Sequence, residues 1–533
     1  MKTAWIFVGV LGISAVAQAS PIYHFATVIN QGDSLAGYQF YSAQQVVTDS
    51  NGDVAINANL QPFGLENPVI VYSPNSGGVW TNTVAVDGNS AAGNIQGFTT
   101  VQKASEFGGF DNLAITGTSA DPVLTFAAQS TDAANDQGIL QWDSGSRSLG
   151  DVAFTNDTNG YSLVTPTQSG NGTLEMQVNG SSQVLFSAQN SSGTSVLVRG
   201  APSARTALYT SNSVDLGARI ALGSDNSAAS PLNAGSGVYT IPATPGSPTL
   251  VSGALAPSTL FQPVLGYASG NGLDNATLMV VAGSSPGTQD IVLSRSNVNS
   301  GTPQSILAHQ FTPPHFTSLL GQMTPTGKIA VYIPDAAGDT IQYADATAAN
   351  PQASVIASIA PSSGPVPDSA IAVDPGGTNL KIIALQDSNW DEPSAPQINE
   401  NSLVVFGADV GTSSGDENQA ILLWQPGDVS PQIVLSSSAT DTVTDDDTVN
   451  IDGYPAVIND FQLNNLSSEN DYYKDSLSNN YLALDVDYTY LAGPNVGASG
   501  NAVIITPLAV PEPATVGLLS LASLGLFARR RHA

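Results

Sequence analysis

A strand unit that recurs along the chain is the feature that most limits what this sequence can fold into. Each copy opens with a polar turn containing Asn, Gly or Asp and continues with four to six mostly apolar residues. Clear copies begin at Asn51, Pro122, Ser182, Ala276, Gly327, Ser402 and Asn480, and a weaker copy covers 219–222. Several copies are followed by a second or third apolar run, as at 138–142 and 430–435. Repeated antiparallel hairpins of this kind predict an all-β protein.

The length of the unit favours one architecture. Roughly 50 to 78 residues belong to each unit, which is enough for three or four antiparallel strands and fits a β-propeller blade. We therefore predict a propeller-like ectodomain of about seven blades over 20–507, with eight blades next in preference. Residues 23–28 are expected to pair with 502–506, which would close the ring and place the exit of the chain at Pro507. Tandem β-sandwiches are the alternative, because they also consist of short strands and polar turns.

Composition agrees with this prediction. The 533 residues include 51 Gly and 33 Pro, and 41% of the residues are apolar, as expected for a folded chain with many tight turns. The chain has no cysteine, so neither disulfides nor thiol chemistry contributes. With 43 acidic against 13 basic residues, the acidic chain repels polyanions, which argues against a nucleic-acid partner.

The N-terminus has the pattern of an export signal. Lys2 precedes an uncharged apolar run over 3–16, and Ala17 and Ala19 flank Gln18. This small-x-small order is the form that signal peptidase cleaves. The sequence therefore predicts a signal peptide over 1–19 and a mature chain that begins at Ser20.

The C-terminus combines a short motif, an apolar stretch and a basic cluster. The apolar stretch covers 514–528; before it stand Val510, Pro511, Glu512 and Pro513, and after it stand Arg529, Arg530 and Arg531. A helix of that length spans about 22 Å, which is marginal for a hydrocarbon core of about 30 Å. The arginines would hold the C-terminus in the cytoplasm and leave the ectodomain on the far side of the membrane.

This order of features over 510–533 resembles the PEP-CTERM sorting signal of exported bacterial proteins. The resemblance implies processing by an exosortase-type enzyme, transient anchoring by the C-terminal helix, and a role connected with exopolysaccharide or biofilm matrices. The same tail is sometimes named after ice-binding proteins, and nothing in the sequence supports ice binding. The repeat that opens with 51–55 also resembles propeller-type repeats of exported bacterial proteins, which implies a fold and no activity.

Two groups of acidic residues are candidate Ca²⁺ ligands. Asp49, Asn51 and Asp53 offer oxygen ligands at alternating positions of one turn, and Asp445, Asp447 and Asp452 belong to a second acidic stretch. Hard oxygen ligands at such positions are typical of calcium loops. A plain Asn-Gly hairpin turn is the alternative at the first group, and a solvated acidic loop is the alternative at the second. No firm cofactor is predicted.

Catalytic patterns are few. Trp390 stands beside Asp387, Asp391 and Glu392, and a carboxylate pair next to an aromatic ring could serve a glycosidase; the alternative is a polar loop. Ser285, with His309 and His315 downstream, lies in a Gly-x-Ser-x-Gly pattern that has no helix after it, so a plain turn is the preferred interpretation.

The sequence thus predicts an exported cell-envelope or extracellular protein with a structural or binding role rather than an enzyme. Its expected partners are signal peptidase, an exosortase-type processing enzyme, the membrane and extracellular polysaccharide. A secreted glycosidase or lyase acting on polysaccharide is the alternative. A carboxylate pair in the central channel would favour the enzyme.

Overall fold

The chain is described from a computed structural model. The described residues are 23–35, 38–61, 69–74, 80–86, 101–102, 113–118, 121–130, 137–155, 161–164, 176–212, 220–232, 237–251, 266–270, 273–282, 289–295, 304–305, 320–333, 338–359, 371–373, 379–385, 396–411, 418–437, 448–463 and 476–508. They contain 38 β-strands and no helix, which confirms the all-β prediction for these ranges. No helix within them could therefore span a membrane. The predicted signal peptide and the predicted helix over 514–528 lie outside them.

The strands form eight sheets, here called blades 1 to 8 in chain order. The first strand, β1 (Ala26–Asn30), belongs to the last blade. Blade 1 contains β2 (Ser34–Leu35), β3 (Tyr38–Thr48), β4 (Val54–Gln61), β5 (Val69–Pro74) and β6 (Trp80–Val86). Blade 2 contains β7 (Val101–Gln102), β8 (Ala114–Thr118), β9 (Asp121–Ser130), β10 (Gln137–Asp143) and β11 (Ser148–Phe154). Blade 3 contains β12 (Tyr161–Val164), β13 (Gln177–Val178), β14 (Val184–Asn190), β15 (Ser195–Ala201) and β16 (Ala204–Thr210).

The remaining blades follow the same plan. Blade 4 contains β17 (Ala221–Leu222), β18 (Ala228–Leu232), β19 (Gly237–Ile241) and β20 (Thr249–Leu250). Blade 5 contains β21 (Gly266–Gly270), β22 (Leu273–Ala282), β23 (Gln289–Ser294) and β24 (Gln304–Ser305). Blade 6 contains β25 (Leu320–Met323), β26 (Lys328–Ile333), β27 (Thr340–Asp345) and β28 (Ser354–Ser358). Blade 7 contains β29 (Ile371–Val373), β30 (Asn379–Ala384), β31 (Gln397–Ile398), β32 (Val404–Gly411), β33 (Asn418–Trp424) and β34 (Gln432–Ser436). Blade 8 contains β35 (Thr448–Ile451), β36 (Tyr454–Gln462), β37 (Tyr481–Tyr490) and β38 (Ser499–Pro507), in addition to β1.

Apolar side chains between the blades arrange them in a ring. Eight clusters of buried apolar residues are found among the described residues, and each joins two successive blades. Phe186 of blade 3 packs in one cluster with Ile139 of blade 2. Ile56 of blade 1 packs in another with Val503 of blade 8. Because the last blade packs on the first, the ring is closed, and both faces of every blade are buried.

The two ends of the folded chain meet in blade 8. β1 pairs antiparallel with β38, with Ala26 opposite Ile505 and Asn30 opposite Ala502. This confirms the predicted pairing of the two chain ends, although the N-terminal strand covers 26–30 rather than 23–28. The ring is therefore complete only when residues far apart in sequence meet. The side chains of Tyr23 and Phe25 pack on the cluster between blades 7 and 8.

The ring has eight blades rather than the seven preferred from the sequence. The seven clear repeats correspond to β4, β9, β14, β22, β26, β32 and β37 of blades 1, 2, 3, 5, 6, 7 and 8, and the weak repeat at 219–222 overlaps β17 of blade 4. The corresponding strand of blade 4, β18, reads Ala-Ala-Ser-Pro-Leu. It was missed because proline and serine interrupt the apolar run, although all five residues are buried.

The blades have two ends that matter for function. At one end lie the turns that lead into β4, β14, β18, β26, β32 and β37, and we call this set of turns the turn belt. It comprises 49–53, 179–183, 223–227, 324–328, 399–403 and 478–481. At the other end, which we call the far rim, lie turns such as 190–194 in blade 3 and 491–498 in blade 8.

Candidate functional site

The turns of the belt share one backbone geometry. In blades 1, 3, 4, 6 and 7 the backbone N–H of the first turn residue donates to the carbonyl oxygen four residues later, at 2.8 to 3.1 Å. The fourth residue of each of these turns has a positive φ, between 56° and 90°; these residues are Gly52, Ser182, Asn226, Gly327 and Ser402. Glycine and small polar residues adopt this conformation most easily. The belt is therefore a repeated local structure.

Side chains at the first position of the turns hold this geometry. The Asn399 Oδ1 atom accepts the backbone N–H groups of Asn401 and Leu403, both at 3.0 Å. Asn179 and Asp49 make the same pair of bonds in their turns, at 2.8 to 3.1 Å. These are Asx turns, in which the side chain satisfies backbone donors that the tight turn leaves without a partner.

Hydrogen bonds also join the turns of neighbouring blades. Asn399 Nδ2 donates to the carbonyl oxygen of Ser478 at 2.8 Å, and Asn179 Nδ2 donates to Asn226 Oδ1 at 2.9 Å. Ser224 Oγ donates to the carbonyl oxygen of Ser269 in blade 5 at 2.6 Å. Further bonds join blade 8 to blade 1, blade 2 to blade 3 and blade 6 to blade 7. The belt therefore ties blades together at one end of the ring.

A cavity of about 370 Å³ lies at the centre of the belt, and every blade contributes to its lining. Its polar lining consists of amide and hydroxyl groups together with two carboxylates, Asp49 and Glu400. Its apolar lining comes from the ends of the innermost strands and consists mainly of Leu113, Met176, Leu222, Tyr267, Met323, Ile398 and Leu477. The volume falls in the range of about 300 to 1,000 Å³ that is usual for ligand sites.

Charge in the cavity has one sign. None of the described residues that line it is basic. The Asp49 carboxylate accepts bonds from Asn51 Nδ2 at 3.0 Å and from two backbone N–H groups, and the Glu400 carboxylate accepts the hydroxyl of Thr326. The cavity is therefore suited to a neutral or cationic ligand, and both carboxylates are already held by donors from the protein.

Asp53, the last residue of the turn that begins at Asp49, carries a further carboxyl group. Asp53 is fully buried, and no hydrogen bond of ordinary geometry reaches either of its oxygens. Burial raises the pKa of the Asp53 carboxyl to about 7; the Ser73 side chain opposes this rise and the nearby Asp49 carboxylate adds to it. Asp53 does not line the cavity, so we assign it to the support of the turn.

The structure places some of the predicted site residues and leaves others outside the described ranges. Asp49, Asn51 and Asp53 do share one turn, but Asp49 is taken up by hydrogen bonds within that turn. Asp452 lies at the far rim, where its Oδ2 accepts Asn30 Nδ2 at 2.6 Å. No group of three or more His, Asp or Glu side chains among the described residues could hold a metal. Calcium binding therefore stays a prediction.

The other predicted site residues lie outside the described ranges. They are Asp445 and Asp447 of the second acidic stretch, Asp387, Trp390, Asp391 and Glu392, Ser285 with His309 and His315, Ala17 and Ala19, and the tail from Val510 to Pro513 with Arg529 to Arg531.

Sequence reasoning missed the belt as a site. Its signal was an Asn, Asp or Thr followed three residues later by Gly, Ser or Asn, as in 179–182, 324–327 and 399–402. The sequence analysis predicts a turn with candidate ligands only at 49–53, where Asn51 and Gly52 form an Asn-Gly pair. The convergence of residues from all eight blades on one cavity depends on ring closure, which no local pattern shows.

Comparison with protein families finds a match to the PEP-CTERM protein-sorting motif over residues 509–531. The C-terminus therefore carries this sorting motif, as the sequence predicted. The motif implies a protein that is exported, anchored in the membrane by its C-terminus and processed by an exosortase system. The curated proteins contain no match to this chain.

Solved structures that resemble the chain include a WD40 domain, the β-propeller domain of a protease and a peptidase. The WD40 domain of SCAP from fission yeast is 9% identical with a TM-score of 0.41, covering 91% of this chain and 98% of that domain. The β-propeller domain of the Trilobed protease from Pyrococcus furiosus is 8% identical with a TM-score of 0.36, covering 75% and 98%. A puromycin-hydrolyzing peptidase of Mycobacterium tuberculosis is 12% identical with a TM-score of 0.39, covering 78% of this chain. The chain spans 56% of the length of that peptidase.

Proposed function

We propose that this exported propeller is a binding protein of the cell envelope or extracellular matrix, and that its central cavity holds a segment of an uncharged extracellular polysaccharide. The observation that carries the proposal is the lining of the cavity. Amide and hydroxyl groups from the belt surround it, and an apolar layer lies next to them. A sugar presents hydroxyl groups at its edges and C–H groups on its faces, so it can use both parts of such a lining.

The charge of the cavity narrows the class of polysaccharide. Asp49 and Glu400 would repel uronic acids and sulfated sugars, and no basic residue in the described lining would offset that repulsion. Neutral glucans, galactans or mannans are therefore the expected ligands.

One substitution can block the cavity without disturbing the fold. Gly180 lines the cavity, is exposed and has open space where a side chain would begin, and its φ is outside the left-handed region. Gly180→Trp should therefore fill the cavity. Ser191→Trp is the matched control, because Ser191 is exposed in the same blade at the far rim.

The test combines a glycan array with calorimetric titration of the best neutral oligosaccharide. We expect binding by the wild type, at least a tenfold loss of affinity in Gly180→Trp and no loss in Ser191→Trp. Failure of every neutral glycan to bind, or equal binding by the two variants, would refute the proposal.

A hydrolase that acts on polysaccharide is the second candidate, because two carboxylates line one cavity. It is less favoured because protein donors already occupy both carboxylates. Release of reducing ends from a neutral polysaccharide, abolished by Glu400→Gln or Asp49→Asn, would support the hydrolase. Binding without turnover would support the binding protein.

A further inference from the structure

The chain leaves the folded body at the turn belt. β38 ends at Pro507, and the next residue, Leu508, is buried and donates its backbone N–H to the carbonyl oxygen of Asn480 at 2.7 Å. Asn480 lies in the belt beside Asn479, which lines the cavity. The sorting motif begins at the following residue. The membrane-directed tail is therefore attached to the end of the ring that carries the cavity.

The N-terminal segment enters at the same end. The carbonyl oxygen of His24 accepts the hydroxyl of Thr506 at 3.1 Å, next to the point where the tail leaves. Tyr23 lies near Asp428, whose charge adds to the effect of burial in raising the Tyr23 pKa to about 12. Asp428 belongs to the loop between β33 and β34 at the belt end of blade 7. The start of the mature chain and the exit of the C-terminal tail therefore lie at the same end of the ring.

The segment between the folded ring and the predicted helix is too short for the ring to turn over on the membrane. Five residues, 509–513, separate Leu508 from the predicted helix, and even a fully extended chain of that length spans at most about 20 Å. The ten residues of β37 run from the belt to the far rim, a distance of about 30 Å at the usual rise of a strand. While the tail is in the membrane, the far rim cannot take the place of the belt at its surface.

We propose that the belt face is a membrane-facing surface whose partner is the bilayer. In the tail-anchored protein the central cavity faces the lipid, and removal of the tail frees it toward the outside. This inference rests on the position of the tail and does not depend on which ligand the cavity binds. It makes processing of the sorting motif a step that uncovers the cavity.

The absence of cysteine makes a site-specific test direct. Single cysteines replace Ser50 in the blade 1 turn, Ser224 in the blade 4 turn and Val496 at the far rim, all exposed positions. Each full-length variant is labelled with an environment-sensitive fluorophore and reconstituted in phosphatidylcholine liposomes that carry a nitroxide on the lipid headgroup. Blades 1 and 4 lie on different sides of the ring, so the two belt positions report whether the ring stands flat or tips.

We expect at least twofold stronger quenching at Ser50→Cys and Ser224→Cys than at Val496→Cys. A chain that ends at Leu508 should show no quenching at any position, which would assign the effect to the tail. Equal quenching at all three positions would overturn the proposal. Quenching at Ser50→Cys and Val496→Cys without quenching at Ser224→Cys would also overturn it, because the ring would then lie on its side. Failure of the full-length protein to float with the liposomes would overturn it as well.

Discussion

Removal of the Asn399 side chain should show how much one belt residue contributes to the ring. Asn399 is almost fully buried, with 5% of its surface exposed. Its amide serves Asn401 and Leu403 within its own turn and the carbonyl of Ser478 in the next blade. In Asn399→Ala, the Leu403 N–H and the Ser478 carbonyl lose their partners while they remain buried. At about 1 to 3 kcal/mol for each of these two groups, we expect a loss of about 2 to 6 kcal/mol in the free energy of unfolding.

A turn at the far rim supplies the matched control. Asn190 Oδ1 accepts the backbone N–H groups of Ser192 and Thr194 at 3.0 and 2.9 Å, so its local bonds match those of Asn399. This turn is largely exposed, and no hydrogen bond from the Asn190 amide to another blade is seen among the described residues. Water can replace the lost bonds, so Asn190→Ala should cost about 1 kcal/mol or less.

Urea unfolding followed by tryptophan fluorescence and circular dichroism measures both variants. Asn179→Ala should fall in the same range as Asn399→Ala, because Asn179 is equally buried and also bonds to the next blade. If Asn399→Ala and Asn190→Ala lose the same free energy within about 0.5 kcal/mol, bonds between the turns do not stabilise the ring, and the reasoning is wrong.

Two further predictions concern a buried acid and a strained loop. The pKa of Asp53 is raised from 3.8 to about 7, so its protonated form stabilises the fold below about pH 4 and this contribution is lost as the pH rises through 7. The free energy of unfolding of Asp53→Asn should therefore rise relative to that of the wild type between pH 4 and 7. A difference that stays constant over this range would contradict the assignment. Gly493 and Gly497 both have positive φ, but a Cβ at Gly493 would lie 2.4 Å from Tyr454 Cδ1 whereas the space at Gly497 is open. Gly493→Ala should therefore lower the free energy of unfolding by about 1 kcal/mol more than Gly497→Ala does. Thermal unfolding should show that this difference disappears when Tyr454→Ala is added to each variant. If the difference persists, the strain does not come from Tyr454.

Features that depend on local pattern can be predicted from the sequence alone. Alternating apolar runs between polar turns specify strands because side chains alternate across a strand, and this pattern identifies one strand in each of seven blades. The sorting motif was readable for the same reason, since its order of proline, glutamate, apolar stretch and arginine lies within a short segment. The pairing of the chain ends could be predicted because a ring of repeats must be closed by its first and last strands.

Features that depend on contacts between distant residues become visible only in the folded ring. The strand β18 of blade 4 has little apolar pattern of its own and is held between two neighbouring blades. The cavity is assembled from residues as far apart as Asp49 and Asn479, and no spacing in the sequence reports that they converge. The shared face of the cavity and both chain ends follows from the direction of β38 and its pairing with β1. Local sequence specifies local geometry, but a surface shared by eight blades exists only once the ring has closed.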